Sequence, residues 1–417
     1  MIPYVPPNTF IADYMAMMED QETPTIYDFI CACWCLSVAM GREVIVDRPR
    51  APVHLNMYVI LVSESGIMRK STSIRIATGI VRQFLAEQKS PILLFESKTT
   101  MGMMLNELSK SSKETGRSQG ILVASELAAV LGRGGGLSGL PALLTDLYDC
   151  PDERIGGGSL NTGSFNLQDV YFSFLGGSTP SWLAKAVRPE VIEGGFTSRC
   201  YFINGRNRKR TIAWPEGEGN DDGRLNLVSQ LSAIYTSSKS YRRIGITDAA
   251  RARFTSWYES RPIHKDAFRE SFESREDAHI LRFAGLFAIN EGHWQINDNH
   301  LARGIEVVRT IKGAGSDLFT GGNVEQRDVK LLHKIRNLLL ANGDSGVGLT
   351  EFHRTLRLSG RANDEVRTLL RTMHELDLVK KYELEGARGR PKTVYVRTEY
   401  LENEGFLKDV MQRVGME

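Results

Sequence analysis

The spacing of apolar residues along this 417-residue chain changes several times. Phe10 to Met18 and Ile26 to Met40 repeat at helical spacing, and Gly41-Arg42 ends the second run. Short apolar runs then alternate with amphipathic ones. Met57–Val62, Pro91–Glu96, Ile121–Ala124, Val170–Leu175 and Cys200–Ile203 have the length and composition of buried strands. Ser71–Gln88, Met101–Ser109 and Leu140–Tyr148 read as helices between them. Such β–α alternation, sustained over about 150 residues, predicts an α/β fold with a mostly parallel sheet covered by helices. After the basic run Arg206 to Arg210 the pattern becomes helical, with almost no strand signal through residue 320. Residues 325–341, 349–357 and 361–377 are helix-sized, and strands are predicted at 379–384 and 393–397 around a Gly-Ala-Arg-Gly-Arg-Pro-Lys turn. Four segments follow: an N-terminal helical segment (1–55), a core (56–210), a helical subdomain (211–322) and a C-terminal domain (323–417).

Three helices and then a hairpin is the order of a winged helix, so the last segment invites a nucleic-acid reading. Net charge limits that reading. With Lys+Arg 52 against Asp+Glu 50, the formal charge is +2, so any nucleic-acid contact is local. The wing qualifies: Arg388, Arg390, Lys392 and Arg397 lie between Gly386 and Thr398 with no acidic residue. The candidate recognition helix from Arg361 carries Arg361, Arg367 and Arg371 beside Asp364, Glu365 and Glu375. It serves either DNA phosphates or a protein partner. Arg133, in the glycine cluster 132–139, is either a backbone contact for one strand or part of a surface loop. Five cysteines, an odd number, fit a reducing compartment. Cys31, Cys33 and Cys35 have poor zinc spacing and read as packing residues. No ligand set forms among the histidines. No run approaches the ~18 apolar residues needed to span a bilayer, and the N-terminus lacks a signal peptide's basic region. The expectation is a cytoplasmic protein without membrane association.

The chemistry concentrates at strand ends. Met57–Val62 runs into Ser63-Glu64-Ser65-Gly66-Ile67-Met68-Arg69-Lys70-Ser71-Thr72 and then a helix. Strand, loop, Lys-Ser/Thr and helix form the context in which backbone N–H groups hold phosphates, the lysine reaches the outer phosphates and the next hydroxyl binds Mg²⁺. The glycine pattern departs from the usual one, with Glu64 six residues before Lys70 and Arg69 just before it. Ser125 and Glu126 end the third strand, where Glu126 would polarise an attacking water and Ser125 stands where an aspartate usually holds Mg²⁺. Ser178 and Thr179 end the fourth strand, in position to sense a γ-phosphate. Arg199 enters the fifth, placed to stabilise transferring charge. Each residue alone also fits a plain structural role, as a cap, a turn or an ion pair.

Together these residues resemble phage- and plasmid-borne replicative helicases of the primase–helicase type, which are P-loop ATPases of AAA+/RecA-like fold. The likeness rests on the loop ending Arg69-Lys70-Ser71-Thr72, on Gly66, on Glu126, and on Gly195-Phe196-Thr197-Ser198-Arg199. It is supported by Leu36 to Arg42, Trp257-Tyr258 and His279 to Ala284. Ser63 stands in place of the first glycine. The resemblance implies ATP and Mg²⁺ as cofactors. The nucleotide would be held by Ser63, Ser65, Gly66, Arg69, Lys70, Ser71 and Thr72, the metal by Ser71 and Ser125. Glu126, Lys70, Thr179 and Arg199 would do the catalysis, Arg199 from a neighbouring subunit. It further implies a ring oligomer, a hexamer, with single-stranded DNA in its pore, duplex at the winged helix, and a separate primase or polymerase as partner. The alternatives are a DNA-binding initiator or loader with a degenerate ATPase site, and a defence or signalling ATPase whose winged helix binds protein.

Overall fold

A computed structural model describes residues 2–96, 99–127, 139–157, 164–186, 195–214, 221–261, 272–319, 324–356, 361–384 and 392–399. The chain forms two compact units, Met1–Phe319 and Thr320–Glu417.

In the first unit, helices α1 (Phe10–Met17) and α2 (Thr25–Met40) precede short strands β1 (Ile45–Val46) and β2 (Val53–His54). The alternating region contains β3 (Tyr58–Val62), α3 (Lys70–Glu87), β4 (Leu93–Glu96), α4 (Met101–Thr115), β5 (Gln119–Ala124) and α5 (Leu140–Tyr148). It continues with an antiparallel pair, β6 (Glu153–Gly157) and β7 (Ser164–Gln168), then β8 (Tyr171–Ser178), α6 (Pro180–Ala186) and β9 (Cys200–Asn204). After it come α7 (Asp221–Ser238), β10 (Arg243–Ile246), α8 (Asp248–Glu259), α9 (Glu276–Asn290), β11 (Gln295–Ile296) and α10 (Asp298–Phe319).

The expected parallel sheet is present, five strands in the order β4-β5-β8-β3-β9, every pair parallel. Strand residues alternate between two apolar cores, as the two-residue period of a strand requires. Val59, Leu61, Ile121, Val123, Leu175 and Ile203 pack with α2, α3, α7, α9 and α10. Tyr58, Ile60, Val62, Leu122, Phe174 and Phe202 pack with α4 and α5. Both faces are covered, which is why β3 is an unbroken apolar run and β8, though it includes Ser173 and Ser178, is buried at every position. Helix α2 is buried from Tyr27 to Met40 and so needs no polar face.

Two findings depart from the sequence pattern. Residues 223–320 were expected to carry almost no strand, yet β10 and β11 join β1 and β2 in a second sheet ordered β11-β10-β1-β2. These strands have two to four residues, too few for a period to register. The pair β6/β7 is likewise hidden in glycine-rich sequence. In the second unit, α11 (Val324–Asn342), β12 (Val347–Gly348), α12 (Leu349–Leu356), α13 (Arg361–Glu375), β13 (Val379–Leu384) and β14 (Lys392–Arg397) enclose Leu332, Ile335, Leu339, Phe352, Val366, Leu370 and Met373. Its sheet is antiparallel, in the order β12-β14-β13; β12 had no sequence signal.

Several buried titratable groups of the first unit sit in close hydrogen-bonded pairs. Asp28 meets Lys209 at 2.7 Å, and burial pushes its carboxyl up to about 6, against the pull of Lys209 and Thr23. His279 Nε2 faces the Ser198 carbonyl at 2.9 Å and therefore donates. Its Nδ1 then accepts from the Tyr201 hydroxyl at 2.7 Å and from Arg282 at 3.2 Å. Burial, then the Arg282 charge, holds His279 far below the usual histidine range. Burial also lowers His300 and takes His54 down to about 4.

These histidines stay neutral when folded and take up protons near pH 6.5 when unfolded. Their stabilisation is therefore complete above that pH and is lost as pH falls toward the folded values. Asp28 opposes this, because its raised value favours the folded state as pH drops from about 6 to 4. Three histidines against one aspartate leave net acid lability. Urea unfolding at stepped pH between 7 and 5 is expected to show falling stability, and His279→Gln to flatten the slope by about 1 kcal/mol per pH unit.

Candidate functional site

The site begins where β3 ends. The Val62 carbonyl accepts the Tyr27 hydroxyl at 2.7 Å and the Gly205 N–H at 3.0 Å. Residue 205 has to be glycine, since a Cβ there would lie 2.4 Å from the Tyr27 oxygen. Ser63 N–H donates to the Ser178 carbonyl, and the chain then leaves the sheet. It turns through Gly66 (φ 73°) and Arg69 (φ 50°, ψ 36°) before α3 starts at Lys70. A left-handed arginine costs about 1–2 kcal/mol relative to glycine. The Arg69 side chain is held by Glu22 at 2.7 Å. Glu22 also accepts Arg208 and the Ile212 N–H, and these contacts, the Ile212 bond foremost, keep its carboxyl low.

No side chain caps α3. Apart from the turn over residues 65–67, the backbone N–H groups of residues 64–71 donate no close hydrogen bond to other described residues. A loop and helix start with this many open donors, at the positive end of the helix dipole, is a ready anion cradle.

Three chain segments meet at that cradle. A cleft of about 340 Å³ is lined by Ser65, Gly66, Arg69, Lys70, Ser71 and Thr72 from the loop and α3, by Ser125, Glu126 and Leu127 after β5, and by Gly177, Ser178, Thr179 and Trp182 around the end of β8. Sheet order brings them together. From β3 the chain crosses to β4 at one edge, whereas from β8 it crosses past β3 to β9 at the other. Crevices outside the carboxyl ends of strands form where connections diverge in this way. Gly177 sets the closeness, because a Cβ there would lie 2.5 Å from the Ser125 carbonyl oxygen.

Lys70 folds back on the loop, its Nζ donating to Ser63 O at 2.5 Å, Ser63 Oγ at 3.0 Å and Glu64 O at 3.1 Å. Burial lowers its pKa, while Glu64 and Glu126 pull the other way. Thr179 caps α6 through Trp182 N–H at 3.3 Å. The donor set suits a polyphosphate, with open N–H groups and a lysine on one wall and a single carboxylate, Glu126, on the other. The Ser71 and Ser125 hydroxyls, with water, fit a magnesium ion that takes most of its ligands from phosphate.

Other sequence candidates lie elsewhere. Ser63 is buried under the loop, bonded to Lys70, and does not line the cleft. Arg199 is outside the cleft too. Its side chain is 9% exposed, paired with Asp149 at 2.6 Å and bonded to the Gly195 carbonyl at 2.9 Å. It precedes Cys200, which pairs with Tyr58 at the amino end of β3. A sheet's depth, roughly 20 Å at ~3.3 Å per residue, separates it from its own chain's cleft. Arg133, Arg388 and Arg390 lie outside the described residues. Arg361 and Lys392 are placed in α13 and β14 by their backbone only, and Arg367 is exposed on α13. All five cysteines are free and buried, with burial raising their thiols.

Sequence reasoning missed Leu127, Trp182 and Gly177. The paired Gly176-Gly177 inside an apolar strand was their available signal. It also found no histidine ligand set, whereas Glu291, His293 and His300 have ligand atoms within 4.8 Å of one another. Glu291 there already pairs with Arg303 on one oxygen and accepts a hydrogen bond from His300 on the other, so the group ties the end of α9 to α10. A scan against known protein families finds no match for the chain, and a search of curated proteins finds none.

Two substitutions test this geometry. Gly177→Ala is expected to lose about 1–3 kcal/mol in thermal unfolding, because the added Cβ displaces the Ser125 backbone that borders the cleft. Arg69→Gly is expected to be more stable than Arg69→Ala by about 1 kcal/mol, since both lose the Glu22 pair and only alanine keeps the left-handed strain.

Proposed function

We propose that the chain is an ATP-driven DNA helicase or translocase serving replication of a phage, plasmid or other mobile element, with a P-loop core of AAA+/RecA-like type. The observation that carries this reading is the convergence of Lys70, Ser71, Glu126 and Thr179 on one cleft beside an uncapped helix start. These residues come from three strand ends far apart in sequence, in the order that phosphoryl-transfer machinery needs.

Lys70 and the N–H groups of the loop hold the β- and γ-phosphates. Ser71 and Ser125 would hold Mg²⁺, which when bound would supply neutralisation of charge on the phosphates. Glu126 orients the attacking water. Thr179, fixed as a cap, reports the state of the γ-phosphate to α6. Arg199 cannot reach its own cleft, so it acts on a neighbouring copy in a ring, a hexamer by resemblance, after leaving Asp149. The second unit's order of helix, strand, two helices and two antiparallel strands supports a winged helix. There Arg361, Arg367, Arg388, Arg390 and Lys392 contact duplex phosphates, while Arg133 faces a single strand in the pore. A separate primase or polymerase completes the replication machinery.

A second reading, a DNA-binding initiator or loader with a weak ATPase site, is favoured by the hold that Ser63 and Glu64 have on Lys70 and by Ser125, which is no carboxylate.

Phosphate release with and without DNA separates the two. DNA-stimulated turnover supports the motor, whereas DNA binding without turnover supports the initiator. For the motor, Lys70→Ala abolishes turnover, Glu126→Gln keeps ATP binding but slows hydrolysis about 10²–10⁴-fold, and Arg199→Ala loses turnover while binding persists. Full activity in all three variants would refute the assignment.

A further inference from the structure

A second cavity, of about 310 Å³, opens near the amino ends of β3 and β8. It is lined by Arg48, His54, Asn56, Tyr148, Asp149, Arg275, Asp277 and Arg282, among others. Asn56 fixes its floor, its Nδ2 donating to the Tyr148 carbonyl at 2.8 Å and the Phe172 carbonyl at 3.1 Å.

The charges around this cavity do not cancel. Arg48 pairs with Asp277 at 2.7 Å. Asp149 takes Arg275 at 2.9 Å on one oxygen and Arg199 at 2.6 Å on the other. Arg282 has no carboxylate among the described residues. It is 3% exposed and donates only to neutral groups: Nε to the His54 carbonyl at 2.9 Å, and Nη1 to the Tyr201 hydroxyl at 3.1 Å and to His279 at 3.2 Å. Its Nη2 makes no hydrogen bond among the described residues. The guanidinium also lies 5.1 Å from the Tyr148 ring centroid. Four arginines thus meet two aspartates. The nearby histidines add no charge near neutral pH, since burial lowers both His54 and His279. A buried cation without a counter-charge is strongly unfavourable unless an anion completes it.

We propose that this cavity binds a phosphate group, as the free ion or as a small phosphate ester, with Arg282 and Arg275 as its principal donors. Guanidinium forks match the oxygens of a phosphate, and the hollow admits the group with some of its water. The site lies a sheet's depth from the Lys70 cleft and does not depend on the nucleotide reading.

The test is calorimetric titration at low ionic strength of full-length Lys70→Ala protein, in which the cleft's own phosphate lysine is absent. The probes are inorganic phosphate and ribose 5-phosphate, and the tighter of the two identifies the source. Saturable binding of either is expected. Arg275→Gln should weaken it about tenfold or more. Asp149→Asn should tighten it by removing the competing carboxylate, a gain that general structural damage does not produce. Circular dichroism confirms that each variant is folded. Absence of binding by either probe up to about 10 mM, or identical affinities in the parent and both variants, would overturn the proposal.

Discussion

The Val62 carbonyl accepts two hydrogen bonds, from the Tyr27 hydroxyl and the Gly205 N–H, and with them β3 stops and the loop begins. The rest of the cleft follows from that stop. Tyr27 belongs to α2, which is buried from Tyr27 to Met40, so the N-terminal segment fixes the sheet end from which the cleft's loop grows. The register holding Val62 level with Ser178 and Asn204 then dictates which residues border it. A shift of one residue would exchange the two faces of β3 and bury Val62 in the wrong core.

Electrostatics divides the sheet into two working edges. At the carboxyl edge the positive charge is mostly backbone, from open N–H groups and the dipole of α3, with Lys70 added. At the amino edge it is side-chain charge, from arginines clustered around Asp149 and Asp277. Both are local concentrations in a chain whose formal charge is only +2. Composition alone does not reveal them, because the total sums charges spread over the whole chain.

The five core strands and their helices were legible because the strands carry short, largely apolar runs and the helices between them are amphipathic. The cleft residues were legible as a succession of strand ends. Their convergence was not, since it depends on β8 lying between β3 and β5. Arg199 stood out in sequence, but its capture by Asp149, fifty residues earlier, is a spatial fact. The left-handed Arg69 was hidden because the sequence offers a glycine only at Gly66. The strands β10 and β11 were hidden because two to four residues carry no period, and the Glu291 group because its members meet across a turn between helices.

Asp149 holds two arginines at once, one on each carboxylate oxygen. A carboxylate shared in this way is redundant: if one guanidinium departs, the other still neutralises it, and no bare negative charge is stranded at the protein boundary. The Arg199 contact is therefore exchangeable in a way that a one-to-one pair of equal burial is not. The same doubling makes Asp149 a junction between β9, through Arg199, and the start of α9, through Arg275. One side chain therefore ties the entry of β9 to the start of α9 at the amino edge of the sheet.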